Sequence, residues 1–283
     1  MIKIGTCGFS FKDWKGTAYP ENIKNNEMLS YYNRKARFDT VEIDVSYYTI
    51  LSQRATESWV RKTTDDFTFA VKCHKDMTLN DRGKVNPADV DNGEVFRKFL
   101  ASFQPVIRSG KLLTFLAQFG PVFMKNQQNR DYLIKFRSIF GDLPLTVEFR
   151  HKSWLQDTQT EDTFDFLERN NLGYAIVDEP GLRSLAPFVP HATNDVGYFR
   201  LHGRNKRWFG GDRDQRYNYF YSDSEIGEFI PHIRMIAERT KVTSVFFNNC
   251  HAGAAFVNAL RLISMLGLDR PERNDPEQME LPF

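Results

Sequence analysis

The sequence lacks the features that would place the protein outside the cytoplasm. It has only 3 cysteines among 283 residues, an odd number at wide spacing, which argues against a disulfide framework. It has no apolar run of about 18 or more residues that could span a membrane, and its N-terminus lacks the apolar stretch of a signal peptide. These absences predict a cytoplasmic protein with no membrane partner.

An excess of charge of one sign is also missing. The formal net charge is +2, so any attraction to nucleic acid must come from a local patch rather than from the overall field. Hydrophobic residues make up 41% and charged residues 26% of the chain. This balance is ordinary for a folded globular domain and excludes a disordered or fibrous class.

Short apolar runs recur along the chain and predict eight strands, at 2–7, 40–45, 67–73, 112–118, 145–150, 174–178, 197–202 and 244–249. Their β-branched and aromatic residues are typical of strands buried on both faces. Amphipathic segments separate most of them. This alternation predicts an α/β fold, a single (β/α)8 TIM barrel over residues 1–269. An open doubly wound sheet is the alternative, but its G-x-G-x-x-G signature does not follow the first strand.

Two segments fall outside the predicted alternation. Residues 75–91 are polar and contain Gly83 and Pro87, so we expect an extended loop after the third strand, of a length often found in lids. Residues 270–283 form a polar C-terminal tail beyond the barrel.

Polar side chains cluster where the predicted strands end. On four strands they occur as pairs two residues apart, which places both members on one face. We expect this face to line the barrel interior at the carboxyl ends of the strands, where TIM-barrel enzymes hold their catalytic groups. The predicted catalytic residues are Glu42, Lys72, Glu148, Arg150, Asp178, Arg200 and His202. Predicted substrate contacts at the same end are Asp44, His74, His151, Trp154, Asn248 and Asn249.

The alternative is a polar plug in which these charges only neutralise one another. Burying so many charges merely to fill a barrel is costly, because desolvation commonly exceeds the gain from pairing. We therefore favour a functional pocket. The near balance of charges speaks against a two-metal site. One divalent metal held by Glu42, Asp44, His151 or His202 stays an alternative, and no nucleotide cofactor is expected.

A second pattern follows the seventh strand and predicts a site for an anion. Arg204, Arg207 and Trp208 belong to a loop of interleaved cations and aromatic residues, which suits a phosphate-bearing ligand with a ring to stack. A solvated loop is the alternative. The eighth strand runs through Gly253 into a helix, and backbone amides at a helix N-terminus favour anions. The two features converge on one corner of the barrel.

The motifs GTCGFSFKDWKGTAYP, DTVEIDVSYY, VEFRHKSW, YFRLHGRNKRW and FFNNCHAGAAFVNAL resemble successive motifs of the domain-of-unknown-function 72 family, also called YecE-like. The resemblance covers about residues 2 to 268 and implies a TIM barrel. It implies little about activity, because the family's reaction and substrate are not established. Asp44 departs from the pattern, which more often has asparagine there, and adds a negative charge to the pocket.

Three functions are consistent with the sequence. The favoured one is an enzyme, a hydrolase or lyase, acting on a phosphate-bearing small molecule or nucleic acid. Glu148 or Asp178 would be the general acid or base, and the cations would stabilise negative charge. The second is a carbohydrate enzyme with Glu42 and Glu148 as paired carboxylates. The third is a non-catalytic binding module recruited to a partner through its tail.

The tail ends in QMELPF, which resembles the short peptide that binds the bacterial DNA sliding clamp. The matching positions are Gln278, Met279, Leu281 and Phe283, with methionine where leucine is usual. A mobile chain end suits such a peptide, because the ligand must be accessible. The alternative is that the apolar residues of the tail fold back onto the barrel.

Overall fold

A computed structural model describes residues 1–78, 92–156, 158–182, 185–205 and 217–268. Parallel strands form its centre, and each lies within two residues of a predicted run. They are β1 (Ile2–Thr6), β2 (Thr40–Ile43), β3 (Thr68–Lys72), β4 (Leu112–Phe119), β5 (Leu145–Phe149), β6 (Gly173–Asp178), β7 (Val196–Leu201) and β8 (Val242–Phe247).

The eight strands pair in the order β1-β8-β7-β6-β5-β4-β3-β2. The remaining seam, between β1 and β2, is held by an isolated bridge between Cys7 and Glu42, and the Gly8 amide donates to the Glu42 carbonyl at 2.8 Å. A Cβ atom at Gly5 would lie 2.2 Å from the carbonyl oxygen of Thr40, so glycine permits the close approach of the two strands. The predicted (β/α)8 barrel is therefore confirmed, nearly closed at this seam.

Helices surround the strands. In the described residues they are α1 (Met28–Arg34), α2 (Gln53–Lys62), α3 (Lys75–Thr78), α4 (Gly93–Ser102), α5 (Gln104–Arg108), α6 (Gln127–Phe140), α7 (Gln159–Arg169), α8 (Asp223–Arg239) and α9 (Ala254–Met265). No helix occurs in the described part of the connection between β6 and β7, so the predicted alternation is interrupted there. None of these helices is long and apolar enough to cross a membrane.

The prediction of an extended loop over residues 75–91 was wrong at its start. Lys75–Thr78 forms α3, and the amide of Met77 donates to the carbonyl of His74 at 2.9 Å. Residues 79–91 lie outside the described part of the chain. The polar composition hid this turn because Lys75 and Asp76 precede its two buried residues, Met77 and Thr78, and Thr78 is itself polar.

Two apolar layers position the site. The larger layer fills the space between strands and helices and is rich in stacked and edge-on aromatic rings, such as Phe149 against Trp154 at 4.2 Å. The smaller layer lies inside the barrel and includes Tyr198 and Phe246, whose ring centroids are 5.0 Å apart. The inner layer supports the polar groups at the carboxyl ends of the strands.

Candidate active site at the carboxyl ends of the strands

Arg200, from β7, lies at the centre of the candidate site with an exposed fraction of 0%. Its Nε and Nη2 atoms donate to the two carboxylate oxygens of Glu42 at 2.8 and 2.6 Å. Its Nη1 atom donates to Glu148 at 2.7 Å and to Gln118 at 2.9 Å. The Tyr198 hydroxyl also donates to Glu42, at 2.5 Å. One guanidinium thus connects strands on opposite sides of the barrel.

A second guanidinium, from Arg150 directly after β5, lies beside the first. Its Nε atom is 2.6 Å from Glu148 Oε1, its Nη1 atom donates to Glu179, and its Nη2 atom lies 3.1 Å from His202 Nε2. On the other side of the ring, the amide nitrogen Nδ2 of Asn248 lies 2.8 Å from His202 Nδ1. Glu148 Oε1 lies 3.4 Å from Nε2, so Arg150, Glu148 and Asn248 together enclose the imidazole.

The electrostatics of this buried network differ from one carboxyl group to the next. Burial raises the pKa of Glu42 to about 7 against the opposing charge of Arg200. Burial also raises the pKa of Glu179 to about 7 against Arg150. Burial disfavours the charge on Glu148 as well, but Arg150 and Arg200 together outweigh it and hold the pKa of that group well below its usual range. Glu148 is therefore a permanent anion.

The imidazole of His202 is neutral. Burial, with the charge of Arg150 adding to it, lowers the pKa of His202 well below its usual value. The buried network contains three carboxyl groups, those of Glu42, Glu148 and Glu179. It contains two guanidiniums, those of Arg150 and Arg200. One proton shared among the carboxyl groups balances this set near neutral pH.

Glu179 was not predicted as a site residue, and Asp178 was assigned to the wrong face. Asp178 and Tyr174 are four residues apart on β6 and therefore share one face of the strand. The ring of Tyr174 contacts Phe164 of α7, with centroids 5.1 Å apart, so the side chain of Asp178 also lies on the helix side of the barrel. There it accepts a hydrogen bond from the Tyr221 hydroxyl at 2.6 Å. Glu179 is one residue further and points to the interior. Strand parity, counted from Ala175 inside the barrel, could have identified it.

Arg204, predicted as an anion clamp, pairs with Asp178, predicted as a catalytic acid or base. Arg204 Nε lies 3.1 Å from Asp178 Oδ1, and its Nη2 donates to Glu228 at 2.9 Å. Glu225 Oε1 is 3.6 Å from Nη1. Three carboxylates therefore surround this guanidinium. Arg207 and Trp208, predicted in the same loop, lie outside the described residues.

The predicted amide site after β8 is filled by a carboxylate of the chain itself. The amide of Ala252 donates to Asp13 Oδ2 at 2.7 Å. Gly253 adopts φ +84° at the start of α9, which favours glycine. A carboxylate of the chain itself, that of Asp13, therefore accepts from one amide of this turn.

Four other predicted residues have structural contacts. Trp154 is fully buried, and its indole donates to the Phe123 carbonyl at 2.8 Å. Asn249 donates to Tyr219 and Asn258 at 2.9 and 2.8 Å. The amide of Asp76 donates to Nδ1 of His74 at 3.3 Å, and the amide of Ser153 donates to Nδ1 of His151 at 3.1 Å.

Above the buried network lies an open cavity of about 460 Å³, here called the mouth cavity. Asp44 and Lys72 lie at its edge, with Lys72 Nζ 3.7 Å from Asp44 Oδ1 and 4.5 Å from the centre of the Tyr47 ring. Asp44 Oδ1 is buried and has no hydrogen-bond donor among the described residues. The lining residues are Cys7, Phe11, Asp13, Asp44, Tyr48, Lys72, Tyr217, Asn248, Cys250 and His251.

A metal bound by the candidate ligand group of the described residues would lie against the guanidinium of Arg200. Among the described residues, Cys7, Glu42 and Asp44 form a group whose ligand atoms lie within 4.8 Å of one another. Arg200 Nη2 lies 2.6 Å from Glu42 Oε1 and 3.7 Å from both Asp44 Oδ1 and Cys7 Sγ. The guanidinium therefore holds the position that suits a cation. His151 and His202, the predicted imidazole ligands, do not belong to this group.

Fold and site together define a (β/α)8 barrel protein with a charged network and an open cavity at the carboxyl ends of its strands. The chain belongs to the family described as "Protein of unknown function DUF72", whose model matches residues 3–280. This agrees with the motif resemblance. The family description assigns no activity, substrate or partner.

Relatives of similar length support the assignment. The UPF0759 protein YunF of Bacillus subtilis is 32% identical over 277 residues, which is 95% of this chain and 96% of that protein. The solved structure of a DUF72 family protein from Thermotoga maritima has a TM-score of 0.85 and 39% identity, covering 94% of this chain and 99% of that one. A DUF72 protein from Enterococcus faecalis has a TM-score of 0.84 and 30% identity, covering 99% of this chain and all of that one, 100%.

Proposed function

We propose that the protein is an enzyme that binds a small phosphate-bearing substrate in the mouth cavity and transfers a proton through Asp44. The observation that carries the proposal is the buried Asp44 Oδ1 atom without a donor, next to Lys72 Nζ at 3.7 Å. A buried acceptor without a donor is costly in a folded protein unless a ligand uses it. An ionised carboxylate beside an ammonium group suits general-base catalysis on an anionic substrate.

The buried network has a positioning role in this proposal. Arg200 Nη2 approaches Asp44 Oδ1 to 3.7 Å, so the arginine that binds Glu42 also fixes the charge environment of the proposed base. Glu148 is clamped between Arg150 and Arg200 as a permanent anion and is a poor proton donor. The proton-transfer role that the sequence placed on Glu148 or Asp178 is therefore proposed for Asp44, with Lys72 holding the phosphate.

The cavity also favours one substrate size. A volume of about 460 Å³ matches the range of small-molecule sites, which supports a small phosphate ester over a nucleic-acid strand. In hydrolysis, Asp44 would take a proton from the water that attacks phosphorus, and the P–O bond to the leaving alcohol would break. Asp44 would then return the proton to the leaving oxygen, while Lys72 neutralises the phosphate oxygens. The prediction that the basic loop around Arg207 binds nucleic acid remains a prediction.

The test is hydrolysis of nitrophenyl phosphate and bis(nitrophenyl) phosphate. Asp44→Asn should reduce kcat by about 100-fold or more, the usual range for a lost general base, and Lys72→Met should chiefly raise KM. Asp195→Asn and Lys241→Met form the matched control, because this ion pair, at 2.5 Å, lies at the opposite end of the barrel. An unchanged rate in Asp44→Asn would remove Asp44 from the reaction.

A sugar is the second candidate, on the observation that two carboxylates, Asp13 and Asp44, line the cavity together with the rings of Phe11, Tyr48 and Tyr217. Aromatic faces and paired carboxylates are typical of carbohydrate sites. The same variants assayed with nitrophenyl glycosides distinguish the two candidates. Turnover of glycosides but not of phosphates would favour the sugar.

A further inference from the structure

A second cavity, of about 560 Å³, adjoins the mouth cavity and differs from it in character. Its walls are mostly apolar, and we call it the aromatic groove. Its lining residues are Gly8, Phe9, Ser10, Phe11, Asn25, Asn26, Leu29, Ile43, Asp44, Val45, Tyr48, Trp59 and Lys62. The groove follows the turn after β1 and the 3-10 turn Val45–Tyr47 after β2.

The groove and the mouth cavity share Phe11, Asp44 and Tyr48 among their lining residues. The two cavities are therefore adjacent, and the proposed base lies at their border. Val45 and Tyr48 are 46% and 53% exposed at this border. Apolar surface that stays open beside a polar site is the usual sign of a ligand contact.

The walls of the groove are held by ring contacts. Trp59 meets Phe9 edge-on with ring centroids 6.3 Å apart and stacks on Phe69 at 6.4 Å. Lys62 is the one cation among the lining residues, and its Nζ donates to the carbonyl of Asn26, which also lines the groove, at 2.7 Å. Aromatic walls of this kind favour a flat ring as the ligand.

We propose that the aromatic groove binds a flat aromatic ring of the substrate, so that the substrate class is an aryl or heteroaryl phosphate. The inference rests on the proposed function for the phosphate part only. The ring itself is recognised by Phe9, Phe11 and Trp59. Asn25 and Asn26 line the same groove, and an asparagine amide can both donate to and accept from ring heteroatoms.

Two binding measurements test the inference. Phenyl phosphate should bind at least about tenfold more tightly than methyl phosphate in calorimetry, because the ring buries apolar area. The uncharged probe para-fluorophenol should give a broadened and shifted fluorine NMR signal with the wild type. Both effects should be lost in Val45→Glu, which places a charge at the groove, while Met235→Glu is the control, a residue of α8 with 38% exposure outside both cavities.

The outcomes separate the groove from the phosphate site. Equal affinities for phenyl and methyl phosphate, or a fluorophenol signal that Val45→Glu leaves unchanged, would overturn the aromatic subsite. Binding of fluorophenol without binding of methyl phosphate would support the groove and refute the phosphate part of the proposed function. Thermal melting of both variants verifies that each is folded.

Discussion

Arg200 and Arg150 illustrate why arginine rather than lysine fills this barrel. The planar fork of Arg200 satisfies both oxygens of Glu42 and still reaches Glu148, which the compact ammonium of lysine cannot do. Buried ion pairs often stabilise less than an apolar filling of the same shape. A gain in stability alone therefore does not explain why the barrel contains this network.

Glu179 gives a prediction about pH. Its pKa is raised from 4.5 to about 7, so it contributes stability that is fully present below pH 4.5 and is lost as the pH rises to about 7. The free energy of unfolding of the wild type, minus that of Glu179→Gln, should fall by on the order of 3 kcal/mol over this interval. Urea denaturation at a series of pH values measures it.

The free energy of unfolding is compared between the wild type and Glu179→Gln because His202 changes this energy with pH in the opposite direction. Burial lowers the pKa of His202, so its contribution is lost as the pH falls, and it is present in both proteins. Glu238→Gln, the same substitution at an exposed position of α8, is the control. Parallel pH profiles of the wild type and Glu179→Gln would show that Glu179 does not hold the shared proton.

At the scale of elements, the seam between β1 and β2 decides both closure and the site. Cys7 and Glu42 form the bridge that joins these strands, and Glu42 is the residue that Arg200 binds through two bonds. The packing that closes the barrel therefore also places one carboxylate of the network. The absence of a side chain at Gly5 is what permits this approach.

Gly5→Ala tests the seam. The added Cβ would lie 2.2 Å from the Thr40 carbonyl oxygen, so the strands must separate, and we expect a loss of at least about 2 kcal/mol in the free energy of unfolding. Gly181→Ala is the matched control, because nothing lies within 4 Å of a Cβ there. Urea denaturation compares the two. Equal midpoints would show that the seam tolerates a wider spacing.

At the scale of the whole molecule, the C-terminal tail gives a prediction that is separate from the chemistry of the barrel mouth. Gln278, Met279, Leu281 and Phe283 lie outside the described residues, and recruitment to a bacterial sliding clamp remains our proposal from the sequence. Deleting residues 278–283 should abolish clamp binding without changing the melting temperature, because eight paired strands already form the barrel before this segment.

Fluorescence anisotropy with purified clamp measures this binding. Phe283→Ala should weaken it, because the terminal ring is an anchor of the motif. Glu280→Ala, a position between the motif residues, should leave it nearly unchanged. If the intact protein does not bind the clamp, the motif is a chance match.

The sequence alone determined the barrel. Strand positions could be identified from runs such as TVEIDV because a strand buried on both faces must be apolar along its length, and this local pattern needs no knowledge of neighbours. The sequence also predicted that Glu148 and Arg150 share one face of their strand, and that Arg200 and His202 do the same. This inference needs no distant residues, because side chains alternate along a strand with period two.

Only the tertiary structure decided which of these groups already have partners within the chain. Arg204 was expected to bind an anion, but three carboxylates from other parts of the chain surround it, and Asp13 reaches the amide of Ala252 from 239 residues away. Residue types fix the charges, whereas partners distant in sequence determine whether a charge is already neutralised. For that reason the sequence could predict a charged barrel mouth, but not that Arg204 is already paired with Asp178 or that Asp44 and Lys72 line the open cavity.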